Sequence, residues 1–157
     1  MPERPPPPLT GGCPCGAVRY AIGAFPLLLY ACHCTNCQRE SGSAFALNMP
    51  VRTDAFRIVT GAPRAWRRVR ESGARTVSWF CGDCSGRLYG ERDLRPASVN
   101  VRAGMLDDTS WLVPVAHLFM RSAQRWERVG GEAECFDALP EDWRGLSAKW
   151  RELWRVE

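Results

Sequence analysis

The sequence predicts a mainly β domain of small antiparallel sheets, closed by a short C-terminal helix. Three observations point there. Short apolar or alternating runs recur between glycines and prolines, of which the 157 residues contain 14 and 12. Most of the eight cysteines fall into tight groups, as a fold of short strands stapled by metal would need. Apolar residues at helical spacing appear only near the end of the chain.

Taken in order, residues 1–8 hold the run Pro5-Pro6-Pro7-Pro8. Four consecutive prolines lack the N–H groups that a sheet or helix needs and favour an extended polyproline conformation, so these residues are expected to form a disordered tail. From Leu9 to about residue 136 the runs at 17–22, 27–30, 45–49, 56–59, 76–80, 99–101 and 113–119 read as strands. Turns are expected at Thr10-Gly11-Gly12, Thr60-Gly61, Ser72-Gly73, Gly82-Asp83 and Gly130-Gly131. Residues 137–157 form the last unit. After Pro140, residues Trp143, Leu146, Trp150, Leu153 and Trp154 recur at helical intervals with charged residues mostly between them. The expected packing of this helix lays its tryptophan stripe on the sheet. Gly145 counts against it by roughly 1 kcal/mol of helix propensity.

Charge and hydropathy narrow the function classes. The net charge is +4, from 21 basic and 17 acidic residues. The tightest basic run, Arg64, Arg67, Arg68 and Arg70, is followed at once by Glu71. That falls short of the strong basic stripe of a nucleic-acid-binding domain. No apolar leader opens the chain, and its most apolar stretch, 24–31, is short and broken by Pro26. The expectation is a cytoplasmic protein without a membrane span, in a compartment that keeps thiols reduced.

The cysteines carry the chemistry. Cys13 and Cys15, then Cys32, Cys34 and Cys37, then Cys81 and Cys84 form three groups, and Cys135 stands apart as a spare thiol. Residues two apart in an extended segment have Cα atoms about 6.5–7 Å apart, at or beyond the span of a disulfide. A zinc ion bridges that separation easily, because thiolates held at about 2.3 Å in a tetrahedron leave their sulfurs nearly 4 Å apart. The C-x-x-C at Cys81 could instead be a redox pair, but such pairs open a helix in a parallel α/β domain, a pattern this chain lacks. Seven thiols divide naturally as four plus three. Cys32, Cys34 and Cys37 lie in one tight loop, whereas the other two pairs need a common partner. Cys13, Cys15, Cys81 and Cys84 are therefore expected to form a closed structural zinc site, and Cys32, Cys34 and Cys37 an open one, giving two Zn²⁺ per chain. The competing arrangement closes the second site with His33, His117 or an acidic side chain.

These motifs resemble a known family. Gly12-Cys13-Pro14-Cys15-Gly16, Cys32-His33-Cys34-Thr35-Asn36-Cys37-Gln38-Arg39, Phe80-Cys81-Gly82-Asp83-Cys84, residues 103–108 and Pro114-Val115-Ala116-His117 are together similar to the glutathione-dependent formaldehyde-activating enzymes, or centromere-protein-V-like domains. The resemblance spans residues 9 to about 136. It implies an Mss4-like fold, two zinc ions, and a carbon–sulfur lyase that joins formaldehyde to glutathione as S-hydroxymethylglutathione. Two departures stand out: Ser85-Gly86 where the family has Gly-Ser, and Ser122-Ala123 where it has Ser-Lys.

Such chemistry needs a proton for the developing alkoxide, and His33 and His117 are the candidate acids. Asp107 and Asp108 read as turn residues. A thiol with two carboxylates calls for arginines, and Arg39, Arg52 and Arg121 lie near the motifs. The alternative function is a non-catalytic zinc-stapled interaction module, with the tryptophan helix and a basic loop at 64–70 as its surfaces. A concave pocket ending at Cys32, Cys34 and Cys37 would favour the enzyme, and burial of those sulfurs the module.

Overall fold

A computed structural model describes residues 3–70 and 73–156. Its elements follow in chain order as β1 (Leu9–Gly12), β2 (Arg19–Ile22), β3 (Tyr30–Cys32), α1 (Thr35–Ser41), β4 (Ala46–Arg52), β5 (Phe56–Thr60), β6 (Arg64–Val69), β7 (Arg75–Phe80), β8 (Arg87–Arg92), β9 (Ser98–Arg102), β10 (Ala116–Leu118), β11 (Glu134–Phe136) and α2 (Trp143–Leu153). The mainly β class holds. One antiparallel sheet has the order β1-β2-β5, and an eight-stranded sheet has the order β11-β10-β3-β4-β9-β8-β7-β6. Within the larger sheet β10 runs parallel to both β3 and β11, while the other pairings are antiparallel.

Several local expectations shift for physical reasons. Thr10-Gly11-Gly12 belongs to β1 and makes no turn. A side chain at Gly11 would run into the Tyr20 ring and the Met105 carbonyl, so glycine here permits close packing of strands. The apolar run at 27–30 enters the sheet only at Tyr30, because Leu28 and Leu29 are buried in the core ahead of the strand. Residues 64–70, expected as a basic loop, contain β6, whose arginines lie along the exposed edge of the large sheet. Gly73 takes the left-handed conformation at the turn that follows, while Ser72, expected in the same turn, lies outside the described residues, as do Met1, Pro2, Glu71 and Glu157.

The C-terminal helix forms as its period requires. Asp142 caps it, its carboxylate accepting from the Gly145 amide at 2.8 Å, so glycine's backbone N–H is used at the helix start. Trp150 is fully buried between Phe25 and Trp111, and its indole donates to the Pro26 carbonyl at 3.1 Å. Burying a side chain of this size contributes about 4–6 kcal/mol of apolar transfer. Trp150 and Trp154 of the stripe are therefore core, while Trp143 is half-buried beneath Arg95. Arg4 reaches the same corner, donating to the Trp154 carbonyl at 3.1 Å and lying over the Phe25 ring.

Candidate metal centres and a basic cavity

The four-cysteine cluster joins two loops far apart in sequence. Cys13 and Cys15 flank a turn after β1 in which the Gly16 amide donates to the Cys13 carbonyl. Cys81 and Cys84 sit in the tight turn after β7, closed by a bond from the Ser85 amide to the Cys81 carbonyl. The sulfurs of Cys13 and Cys15 lie 3.5 Å apart and those of Cys15 and Cys81 3.7 Å apart. All four lie within 4.8 Å of one another. Four thiolates around a tetrahedral ion at about 2.3 Å would sit nearly 4 Å apart, so the donor set and its spacing fit a zinc-sized soft metal.

Backbone amides converge on the same sulfurs. Val18 donates to the Cys13 sulfur at 3.2 Å, and Asp83 to that of Cys81 at 3.4 Å. Burial pushes the Cys13 thiol up, but the Val18 amide and the neighbouring thiols outweigh it and bring Cys13 down to about 6. The Ala17 amide favours the Cys15 thiolate, yet Cys13 and Cys84 push that thiol up to about 12. Ser85 holds a left-handed backbone with φ of 62°, a conformation that favours glycine. Gly86 follows because a side chain there would sit 2.8 Å from Pro14 and 3.4 Å from the Cys84 sulfur.

The three-cysteine cluster is local. Cys32 ends β3, an inner strand of the large sheet, Cys34 is the N-cap of α1, and Cys37 occupies the first turn. The Cys37 amide donates to the Cys34 sulfur at 3.4 Å, and the three sulfurs lie within 4.8 Å. Cys32 is buried, while Cys34 and Cys37 are partly exposed. Hydrogen bonds from the Cys32 and Cys37 thiols pull Cys34 down to about 2, while Cys34 and Cys37 push Cys32 far up. Negative charge thus favours Cys34, a partly exposed residue, over the buried Cys32. No His, Asp or Glu joins this cluster among the described residues, so it has three protein donors and not four.

His33 and His117 lie behind it. Their rings meet at 2.9 Å, and both are buried, which pushes both imidazoles down. Gln38 of α1 clamps the segment from the other side, donating to the His33 and Ser122 carbonyls at 2.6 and 2.7 Å. Neither histidine lines the cavity in front of the cluster.

That cavity, of about 740 Å³, has Cys34 on its wall together with Arg39, Arg68, Arg70 and Arg121. No carboxylate lines it among the described residues. The Nε atoms of Arg68 and Arg70 are buried without a hydrogen-bond partner among the described residues. Burial and the nearby Arg92 hold the Arg70 guanidinium below its ordinary value. Four arginines lining a space with no carboxylate among the described residues make an anion site. Phe119 on the same wall has a left-handed backbone with φ of 59°, an uncommon state for an aromatic residue, and leads the turn that presents Arg121 and Ser122.

The structure brings Arg39 and Arg121 together as the sequence positions suggested, but Arg52 points elsewhere, paired with Asp54. Asp107 pairs with Arg19 and accepts from Thr10, tying β1 to β2, and Asp108 accepts from Ser110. Sequence reasoning missed Arg68 and Arg70 as cavity residues. The signal was there: spaced by two on a strand, they point to one face. It also missed Glu40 of α1, whose carboxylate takes Arg87 and Arg102 at 2.6 Å each and stands 4.0 Å from Arg68.

The fold and site define a mainly β protein with two cysteine clusters, each able to hold a metal ion, one of them at the wall of a basic cavity. The chain belongs to the glutathione-dependent formaldehyde-activating enzyme family, whose model matches residues 8–122. A curated relative from Halomonas elongata, named a putative glutathione-dependent formaldehyde-activating enzyme, is 25% identical over 142 residues, covering 85% of this chain and 90% of that one. A crystal structure of a Rhodobacter sphaeroides protein shares the fold, with a TM-score of 0.52 and 24% identity over 67% of this chain and 97% of the other. Among the described residues, no helix is long and apolar enough to cross a membrane.

Proposed function

We propose that this protein is a zinc-dependent carbon–sulfur lyase that joins the thiol of glutathione to formaldehyde and releases S-hydroxymethylglutathione. The observation that carries the reading is the arginine-lined cavity with Cys34 of a three-donor cysteine cluster on its wall. Its volume lies in the range of about 300–1,000 Å³ typical of small-molecule sites. Family membership supports the two substrates. Cavity access to Cys34 favours an enzyme over an interaction module, and burial of Trp150 and Trp154 removes much of one of the module's surfaces.

In this reading Cys13, Cys15, Cys81 and Cys84 hold a structural zinc, and Cys32, Cys34 and Cys37 hold a second one. Bound there, that ion would keep a substrate thiol deprotonated near neutral pH. The protein's own residues do the rest. Arg39, Arg68, Arg70 and Arg121 draw the two carboxylates of glutathione into the cavity and leave its sulfur facing Cys34. The sulfur attacks the formaldehyde carbon, a C–S bond forms, the C=O π bond breaks, and the oxygen takes a proton to become the hydroxyl. With His33 and His117 behind the cluster and away from the cavity, that proton reaches the oxygen from water in the open mouth. The histidine pair braces the cysteine loop against β10.

Glutathione and formaldehyde also combine unaided, so the test is the rate of exchange between free and hydroxymethylated glutathione, measured by exchange NMR. The protein is expected to accelerate this exchange and Cys34→Ser to return it to the buffer rate. Equal exchange with and without the wild-type protein overturns the reading.

A further inference from the structure

The cavity is bounded on one side by the end of β6, the last strand of the large sheet. Hydrogen-bond parity shows what that strand offers. The Arg70 amide donates to the Ala74 carbonyl at 2.9 Å, and the Gly73 amide to the Arg70 carbonyl at 2.9 Å. Arg70 therefore turns its backbone toward β7. In an antiparallel ladder the next residue along turns its backbone the other way. Val69 pairs in register with Arg75, and the Arg75 carbonyl is already taken on the far side by the Asp93 amide at 3.2 Å. Two independent bonds thus place the N–H and C=O of Val69 on the open edge of the sheet.

The side chains settle what Val69 brings to the cavity. Arg68, Val69 and Arg70 all line the cavity, and alternation sends the Val69 side chain, which is 67% exposed, to the face opposite the two arginines, so that Val69 meets the cavity through its backbone. What Val69 then offers at the cavity is a peptide donor and acceptor between two arginines, unpaired among the described residues.

We infer that the open edge of β6 at Val69 pairs with a peptide unit of the substrate, so that the site selects an extended peptidyl thiol and not merely an anionic one. This rests on the proposed thiol chemistry and deepens it. Strand addition at a sheet edge gives affinity through main-chain bonds, while neighbouring side chains read the rest of the ligand. Glutathione has two amide groups between its carboxylates, so one pairs with Val69 while the arginines beside it take a carboxylate.

The test is Val69→Pro, which removes only an outward N–H, a substitution that edge strands tolerate. Initial rates are read with glutathione and with mercaptosuccinate, a dicarboxylate thiol without an amide. The expected result is a KM for glutathione raised about five- to tenfold, the loss of one peptide hydrogen bond. Its kcat, its melting temperature and the KM for mercaptosuccinate stay at wild-type values. An unchanged KM for glutathione, or an equal rise for both thiols, overturns the inference while leaving the lyase reading intact. If the variant fails to fold, the wild-type enzyme is given glutathione N-methylated at either amide. At least one derivative is expected to lose binding, and full activity with both overturns the inference. A wild-type protein that does not accelerate glutathione exchange at all overturns the lyase reading and the inference with it.

Discussion

The two cysteine clusters use the same donor atom at similar spacing yet are embedded differently. The four-cysteine cluster lies between two turns, with Cys13 and Cys81 buried and their sulfurs bonded by amides from Val18 and Asp83. It links the start of the domain to the end of β7. The three-cysteine cluster hangs on a β-strand end and a helix start, faces a basic cavity through Cys34, and is braced from behind by polar side chains. A metal in the first would tie two distant turns of the fold together. In the second it would sit on a scaffold that is already held. Ligand number alone does not teach this; the contacts around the sulfurs do.

The comparison breaks most visibly in stability. Cys81→Ser is expected to unfold or aggregate the protein, since structural zinc supplies on the order of 10 kcal/mol and whole domains have only about 5–15. Cys37→Ser should lose one metal equivalent and all glutathione-dependent exchange while melting within about 3 °C of wild type. Metal analysis and thermal melts on the two variants check this, and equal destabilisation would remove the distinction between the sites.

Glu40→Gln probes the support of the open site. It leaves Arg87 and Arg102 facing a neutral amide, an expected cost of about 2 kcal/mol or roughly 6 °C, reduced from that of a dry pair because Glu40 is partly exposed. The loss should fall on α1, so metal affinity should drop at the three-cysteine cluster and stay unchanged at the other. Competition with a chelator, followed by metal release, would show it.

Arg70→Ala tests the cavity. Removal of one charge-assisted contact is expected to raise the KM for glutathione about tenfold, with little change in kcat or melting temperature. The smallest effect belongs to the closed site: Ser85→Gly relieves a left-handed backbone, which for a side-chain-bearing residue costs about 1 kcal/mol or more. Part of that gain is lost to glycine's freedom when unfolded, so a net rise of about 0.5 kcal/mol is expected in the melt, with exchange activity unchanged.

Much of the metal chemistry was legible because its information is local. Two-residue and three-residue spacings put sulfurs within reach of one another whatever the rest of the fold does, and the odd count pointed to a group of three. The tryptophan period at 143–154 was equally local. The basic edge was not. An edge strand exposed on both sides carries no apolar alternation, so Arg64 to Arg70 reads as a loop until its pairing with β7 is seen. Glu40 was illegible for another reason: its partners Arg87 and Arg102 lie 47 and 62 residues away. The histidines were legible as residues, but nothing local shows that His33 and His117 meet each other and do not line the cavity.

The separation of Cys15 from Cys81 by 66 residues also sets an order of assembly. Closing a loop of that length costs about 2 kcal/mol more in chain entropy than closing the few residues between Cys32 and Cys37. On a chain emerging from the ribosome, the compact triad is complete long before Cys81 and Cys84 appear, while Cys13 and Cys15 wait as a lone pair. On the proposed reading a nascent protein would capture its first metal at the three-cysteine cluster, and only a chain that has found its long-range topology could capture the second. Incorporation of the second metal would then be a report that the domain has folded.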